Sequence, residues 1–448
     1  MKKFISIMLC VVLLLLLLAG CGSKATSAPE GEGGDAATPS EPVKITMWHS
    51  NSGTNGEALQ EIADAFNASQ SAYTIELIYQ GEYGDAFTKY KSTPAGAGPD
   101  LFMCQIEQMQ YMIDSNTVIP LQTFIDREGF DISDLSAGLL RSYTVNDQVY
   151  ALPMGSSLVG IVYNADLFEQ AGVDPTLLKT WDGVFEAAQK LVESGVCTYG
   201  GAIAPSAFEL EFVAAMENKD IVDNDNGHTG RATKAVVDEN GIGEFYFDII
   251  KRAGESKYFN TDFTSDGDYK SLLISGELGF LYRTSSYIGS FYSGAEGKYK
   301  VGFVNSPSST ATPAGGQIAG GCSTWIVDNG DDARANGAWE FVKFCMKEDM
   351  QLLWSTATGY VPLTNSATAS AEYKAYMAEV CPDLETAIDE FGASNASGAL
   401  LGIFTKWREL VKAEMFNIYN DPSYTPAQAT ENFVKAVNQE IEMYNLTN

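Results

Sequence analysis

Apolar and polar residues change their period along the chain in an ordered way. Val43, Ile45 and Met47 alternate with Lys44, Thr46 and Trp48, which predicts a strand with one buried face. Leu59, Ile62, Ala63 and Phe66 then recur at the spacing of one helix face. The pattern continues with a predicted strand over 73–79, a helix over 83–92 and a buried strand over 101–104. It restarts near Leu152-Pro153, with a strand over 158–163 and a short helix over 164–170 stopped by Gly172. Thr180 can cap the next helix, whose buried stripe is Val184, Ala188, Leu191 and Val192; Ser194-Gly195 ends it. Residues 218–243 are rich in loop formers. Further strands are predicted at 278–282, 299–304 and 323–327. A helix follows with Ala335, Ala338, Trp339, Val342, Cys345 and Met346 on one face, and the remainder reads as mainly helical. Strands alternating with helices imply βαβ units in an α/β fold. The chain shows no internal repeat.

The two ends of the first forty residues differ in kind. Lys2 and Lys3 precede an apolar run over 4–18, a signal-peptide pattern too short for a stable membrane span. Residues 22–42 are mostly Gly, Ala, Ser, Thr, Pro and Glu with no aromatic, the composition of a flexible tether that buries no core.

Composition narrows the partners. The 448 residues carry 28 basic and 58 acidic side chains, a net charge of −30, and loss of Lys2 and Lys3 takes this to −32. Such a surface argues against nucleic acid, which needs basic groups to displace counterions, and against adsorption to anionic lipid. Of seven cysteines, Cys10 lies in the signal and Cys21 just after it. The other five, Cys104, Cys197, Cys322, Cys345 and Cys381, are scattered and lack CxxC spacing, so they read as buried small hydrophobes. With only His49 and His228, a zinc centre or a Ser-His-Asp triad is not expected. No P-loop, HExxH or Ser-x-x-Lys occurs, and Gly321-Cys322-Ser323-Thr324-Trp325 fails the nucleophile-elbow pattern at its last position. Asp223-Asn224-Asp225-Asn226-Gly227 hints at a calcium loop, but its glycine falls one position early and position twelve is Lys234; a polar surface turn is expected.

Leu18-Ala19-Gly20-Cys21 resembles the lipobox of bacterial lipoproteins. That resemblance implies removal of residues 1–20, diacylation of Cys21, and an exported protein held at the cell membrane through that lipid alone, facing outward, with 21–42 as the lipidated linker. Further along, Met47-Trp48-His49-Ser50, Tyr79-Gln80-Gly81-Glu82-Tyr83, Pro153-Met154-Gly155-Ser156-Ser157 and Val162-Tyr163-Asn164-Ala165-Asp166-Leu167-Phe168 occur in order. Ala171-Gly172-Val173-Asp174-Pro175, Thr180-Trp181, Gly320-Gly321-Cys322-Ser323-Thr324-Trp325 and Thr358-Gly359-Tyr360-Val361-Pro362-Leu363 follow. Together these segments resemble extracellular solute-binding proteins of ABC importers, most closely the glycerol-3-phosphate-binding branch.

The resemblance implies a two-lobe periplasmic-binding-protein-like fold of type II-like topology. Each lobe would be a mostly parallel sheet flanked by helices, with residues 43–152 plus 305–350 in one lobe and 153–304 plus 351–448 in the other. A carbohydrate or glycerol-phosphate-type ligand would be captured between them by closure and delivered to the permease, by a monomer that is not an enzyme and uses no cofactor or metal. It places Tyr83, Glu107 and Ser157 at the ligand hydroxyls and Ser286, Gly321, Tyr360 and Arg408 at the phosphate. The residue types suit this: Arg offers a planar fork of donors, Tyr and Ser hydroxyls add more, and glycine lets a backbone N–H approach closely.

The residues also admit other roles. Tyr360 could be a packed aromatic, Arg408 a surface arginine paired with Glu409 or Glu414, and Ser285 could stand in for Ser286. Glu107 aligns only across a one-residue gap, and Trp48 and His49 fit wall packing as well as ligand contact. Residues 200–208 lack the tryptophans that the branch carries there, and Phe208 is the candidate substitute. A body near −32 repels an anion, so a phosphate ester should associate faster as salt rises whereas a neutral sugar should not. A surface glycoside hydrolase using two carboxylates, and a sensor or adhesion lipoprotein, are the alternatives from other classes.

Overall fold

The alternation at the start of the chain becomes strand β1 (Val43–His49), with Ile45, Met47 and His49 buried and Lys44 exposed. The structure, a computed structural model, describes residues 41–203, 209–262 and 266–448; the signal, Cys21, residues 22–40 of the tether and Phe208 lie outside these. Helix Gly53–Ser69 buries Ala58, Leu59, Ile62, Ala63 and Phe66 and returns the chain to β2 (Tyr73–Tyr79), parallel to β1 from Val43 opposite Tyr73 to His49 opposite Tyr79. Helix Tyr83–Ser92 leads to β3 (Leu101–Gln105), parallel to β1 on its other side. The remaining strands are β4 (Val118–Ile119), β5 (Thr144–Val145), β6 (Gln148–Val149), β7 (Leu152–Ser157), β8 (Val159–Asn164), β9 (Tyr199–Ile203), β10 (Phe259–Asn260), β11 (Leu278–Thr284), β12 (Val301–Asn305), β13 (Gly320–Val327) and β14 (Val361–Pro362).

Two sheets result. The first has the order β14-β7-β13-β3-β1-β2 with β4 beside β13, and the second β10-β9-β11-β8-β12; β5 and β6 form a separate hairpin. Both sheets are mixed, which refines the mostly parallel expectation. Helical crossovers make β1, β2 and β3 parallel, and likewise β9, β10 and β11. The strands that carry the chain between sheets run the other way: β13 is antiparallel to β3 and β7, and β8 to β11 and β12. Residues 306–319 carry the chain from β12 in the second sheet to β13 in the first. Leu158 alone separates β7 from β8.

Strand pairing shows which sheet each segment joins. Strand β7, which follows the expected break at 152/153, is held in the first sheet by β13 and β14. The segment 351–448 is divided: β14 and helix Glu348–Thr358 pack with β7 and the first sheet, whereas helices Phe404–Asn420 and Pro426–Thr447 cover the second.

Helix Trp181–Glu193 starts where Thr180 Oγ1 accepts the Gly183 N–H at 3.1 Å, and Ala187 joins Val184, Ala188 and Leu191 in its buried face, while Val192 is only half-buried. Trp181, Val184 and Leu191 meet Phe280, Tyr282, Trp407 and Phe433 in the core on the outer face of the second sheet. Cys104, Cys322, Cys345 and Cys381 are buried as expected; Cys197 is half-buried. The Asp223–Gly227 segment is a polar turn: Asn224 and Asp225 take left-handed φ, and Asp223 Oδ1 accepts the N–H groups of Thr233 (2.7 Å) and Lys234 (3.2 Å). Among the described residues no group of three His, Cys, Asp or Glu side chains could hold a metal, and no helix is long and apolar enough to cross a membrane.

Candidate functional site

The strand ends bring the polar positions together. The turn Ser285–Tyr287 closes β11, helix Tyr83–Ser92 begins soon after β2, and helix Gly53–Ser69 starts beyond β1. Ligands of α/β folds collect at such ends. Between the bodies built on the two sheets lies a cleft of about 940 Å³, lined by Ser50, Asn51 and Tyr83 on one side and by Lys270, Ser286 and Tyr287 on the other. Tyr292, Thr358, Tyr360, Tyr376 and Glu379 complete its walls.

Tyr83, Ser286 and Tyr360 therefore face one cavity. The Tyr83 hydroxyl lies 3.3 Å from Asn51 Oδ1 and 3.2 Å from Cys322 Sγ. Burial, reinforced by Cys322, Tyr360 and Glu107, pushes its pKa well up, so it remains a donor at neutral pH. Burial likewise raises Tyr360, whose ring leans on Trp354 at 5.8 Å; a hydrogen bond with Ser286 opposes the shift. Ser286 Oγ is 2.7 Å from Thr284 Oγ1, while Ser285 is buried and accepts the Leu158 N–H at 3.0 Å, so Ser286 rather than Ser285 meets the cleft.

Gly321 sits beside them at a bulge where β13 shifts register against β7. Its φ is +104°, and a Cβ there would stand 3.3 Å from Tyr360 Cε1 and 3.4 Å from the Ser157 nitrogen. Glycine satisfies both the backbone angle and the close approach. Ser157 is buried opposite Gly320 in the first sheet, outside the cleft lining.

Glu107 and Arg408 form a second group. Arg408 Nη1 donates to Glu107 Oε1 at 2.5 Å, and Nη2 and Nε donate to Glu211 Oε1 at 2.7 and 3.1 Å. Arg408 is thus held by carboxylates from β3's flank and from helix Glu209–Met216, not by Glu409, which pairs with Lys406. The two carboxylate side chains are 5 % exposed and the guanidinium side chain 17 %, so the pairing is shielded from water. Burial pushes the Glu107 pKa up, and the Arg408 charge opposes that.

Trp48 lies under Lys89 Nζ at 4.4 Å, and His49 is buried near Tyr79 with its pKa lowered by burial; neither lines the cleft. Sequence reasoning missed Asn51, Lys270, Tyr376 and Glu211. Glu211 did leave a trace: it is one acid inside the apolar run Leu210–Met216. The others carry no local signal.

Residues 61–379 match the family described as bacterial extracellular solute-binding protein. The sn-glycerol-3-phosphate-binding periplasmic protein UgpB of Brucella melitensis is 27 % identical over 419 residues, covering 89 % of this chain and 93 % of that protein. Among solved structures, the ABC substrate-binding protein Lmo0181 of Listeria monocytogenes, in complex with cycloalternan, superposes with a TM-score of 0.74 at 19 % identity, over 90 % of this chain and 100 % of that one. UgpB of Mycobacterium tuberculosis, in complex with glycerophosphocholine, gives 0.73 at 19 %, over 91 % and 100 %. These two share the two-sheet α/β architecture. With the match spanning most of its length, the chain belongs to the bacterial extracellular solute-binding protein family.

Proposed function

We propose that this protein is the substrate-binding component of an ABC importer that captures a neutral carbohydrate between its two bodies and hands it on intact. The observation that carries the reading is the wall of the cleft. Five tyrosines (Tyr83, Tyr287, Tyr292, Tyr360, Tyr376) line it together with serine and threonine hydroxyls. Aromatic faces cover the apolar faces of sugar rings, and hydroxyl donors and acceptors match their edges.

Charge favours a neutral guest. Arg408, the cation expected to hold a phosphate, already donates to two shielded carboxylates. A dianion approaching that group also meets the field of the acidic body. The second reading, a glycerol phosphoester, is favoured by the name of the Brucella relative and by Lys270, the cation among the described residues lining the cleft.

Calorimetry with maltotriose, glycerol-3-phosphate and glycerophosphocholine separates the two. Enthalpic binding of the sugar, insensitive to salt, supports the first reading; binding of the phosphoesters alone transfers the assignment to Lys270 and refutes it. Recovery of each ligand unchanged after incubation distinguishes capture from hydrolysis. For the membrane, the reading is that Cys21 carries the lipid and the tether spaces the folded part from the bilayer. A Cys21→Ala chain should leave the membrane fraction; its retention there would overturn the anchor.

A further inference from the structure

Away from the cleft, Asp114 joins the two bodies, as the Glu107–Arg408 pair also does. Asp114 ends helix Met109–Asp114, whose Met112 packs with Phe102 and Trp325 on the outer face of the first sheet. Its partners come from the other body. Asp114 Oδ1 accepts from Arg231 Nη2 at 2.8 Å, and Oδ2 accepts from the Tyr444 hydroxyl at 2.8 Å. Gln110 Nε2, on the same helix, donates to Oδ1 at 2.9 Å. Arg231 adjoins Ala232, and Tyr444 lies on helix Pro426–Thr447; both segments pack into the outer core of the second sheet. The Asp114 side chain is 9 % exposed and that of Arg231 35 %, with the guanidinium 5.9 Å from the Tyr444 ring. None of the three lines the ligand cleft.

We propose that Asp114 is a positioning residue: with Arg231 and Tyr444 it latches the two bodies in the arrangement of this structure and thereby sets ligand affinity from outside the cleft. The inference rests on the reading that the ligand is captured by closure. Its physics is a difference between states. In the arrangement of this structure a shielded carboxylate accepts a charge-assisted bond and a hydroxyl bond. When the bodies part, the same groups face water and the latch contributes nothing. Apparent affinity scales with the fraction of molecules already competent to bind, so a latch worth one power of ten in that fraction is worth the same in the dissociation constant.

The test uses the chain from residue 21 onward and begins without ligand. Small-angle scattering of Asp114→Asn, which keeps the side-chain shape and removes the charge, should show a larger radius of gyration than wild type. Arg231→Gln, at a more exposed position, should do the same and carries the test should the first variant fail to fold. Exchange of the pair, Asp114→Arg with Arg231→Asp, should restore the wild-type radius. Calorimetry with maltotriose and glycerophosphocholine should then show about tenfold weaker binding of the accepted probe in each single variant and recovery in the exchanged pair. An unchanged radius in the single variants, or an exchanged pair as expanded as they are, overturns the latch. The scattering needs no ligand, so its failure is distinct from a failure of either probe to bind.

Discussion

Replacing Arg408 by Met keeps most of the side-chain volume and removes the guanidinium from between Glu107 and Glu211. Both carboxylates are nearly enclosed, and three donated hydrogen bonds disappear at once. Breaking a buried ion pair from one side costs about 3–5 kcal/mol, because the remaining charge is left without compensation. The cost depends on pH, and its sign follows from Glu107. Burial already raises that pKa above its unfolded value, and Arg408 is what opposes the rise. Without Arg408 the folded state binds a proton still more tightly than the unfolded chain does. Stability of the variant is therefore retained below the unfolded pKa and lost as pH rises through the folded one. Guanidinium unfolding followed by tryptophan fluorescence should show the full deficit against wild type at pH 7 and a smaller one near pH 4.5. Adding Glu107→Gln and Glu211→Gln should recover much of the loss at neutral pH. A deficit below about 1 kcal/mol at pH 7, the value of an exposed pair, would refute the reasoning, as would a gap that widens in acid.

Gly321→Ala forces a side chain onto a φ of +104° and against Tyr360, so thermal unfolding should show a loss of about 1–2 kcal/mol and calorimetry weaker ligand binding; wild-type values in both would separate Gly321 from the site. Glu128 is partly desolvated, which alone would raise its pKa, but hydrogen bonds from Lys343, Arg127 and Trp339 hold it down at about 2. Its contribution is present above the unfolded carboxylate range and lost as pH falls toward that value, so Glu128→Gln should flatten the acid limb of the stability curve between about pH 4.5 and 2; an unchanged slope would contradict this.

Much of the fold was legible because it rests on local periodicity. The strand at 73–79 and the helix at 83–92 occupy the spans that the pattern predicts, and Thr180 and Gly172 cap and stop helices as their chemistry requires. Strand β7 was not legible. Leu152-Pro153-Met154-Gly155-Ser156-Ser157 is buried at every position, so neither face contrasts with the other, and its Pro and Gly read as a break. The motif segments led to Tyr83, Ser286 and Tyr360, which the structure does gather in one cleft, but Ser157 lies buried beside it. Arg408 shows the limit most clearly. Its sequence neighbours Glu409 and Glu414 were the visible partners, yet the guanidinium meets Glu107 and Glu211, 301 and 197 residues away. The order of residues determined which side of each helix and strand is buried, since that depends on spacing within a few turns. Which charges become partners depended on two bodies meeting in space. Only the tertiary structure decided that, because electrostatic pairing acts through distance and desolvation rather than through position along the chain.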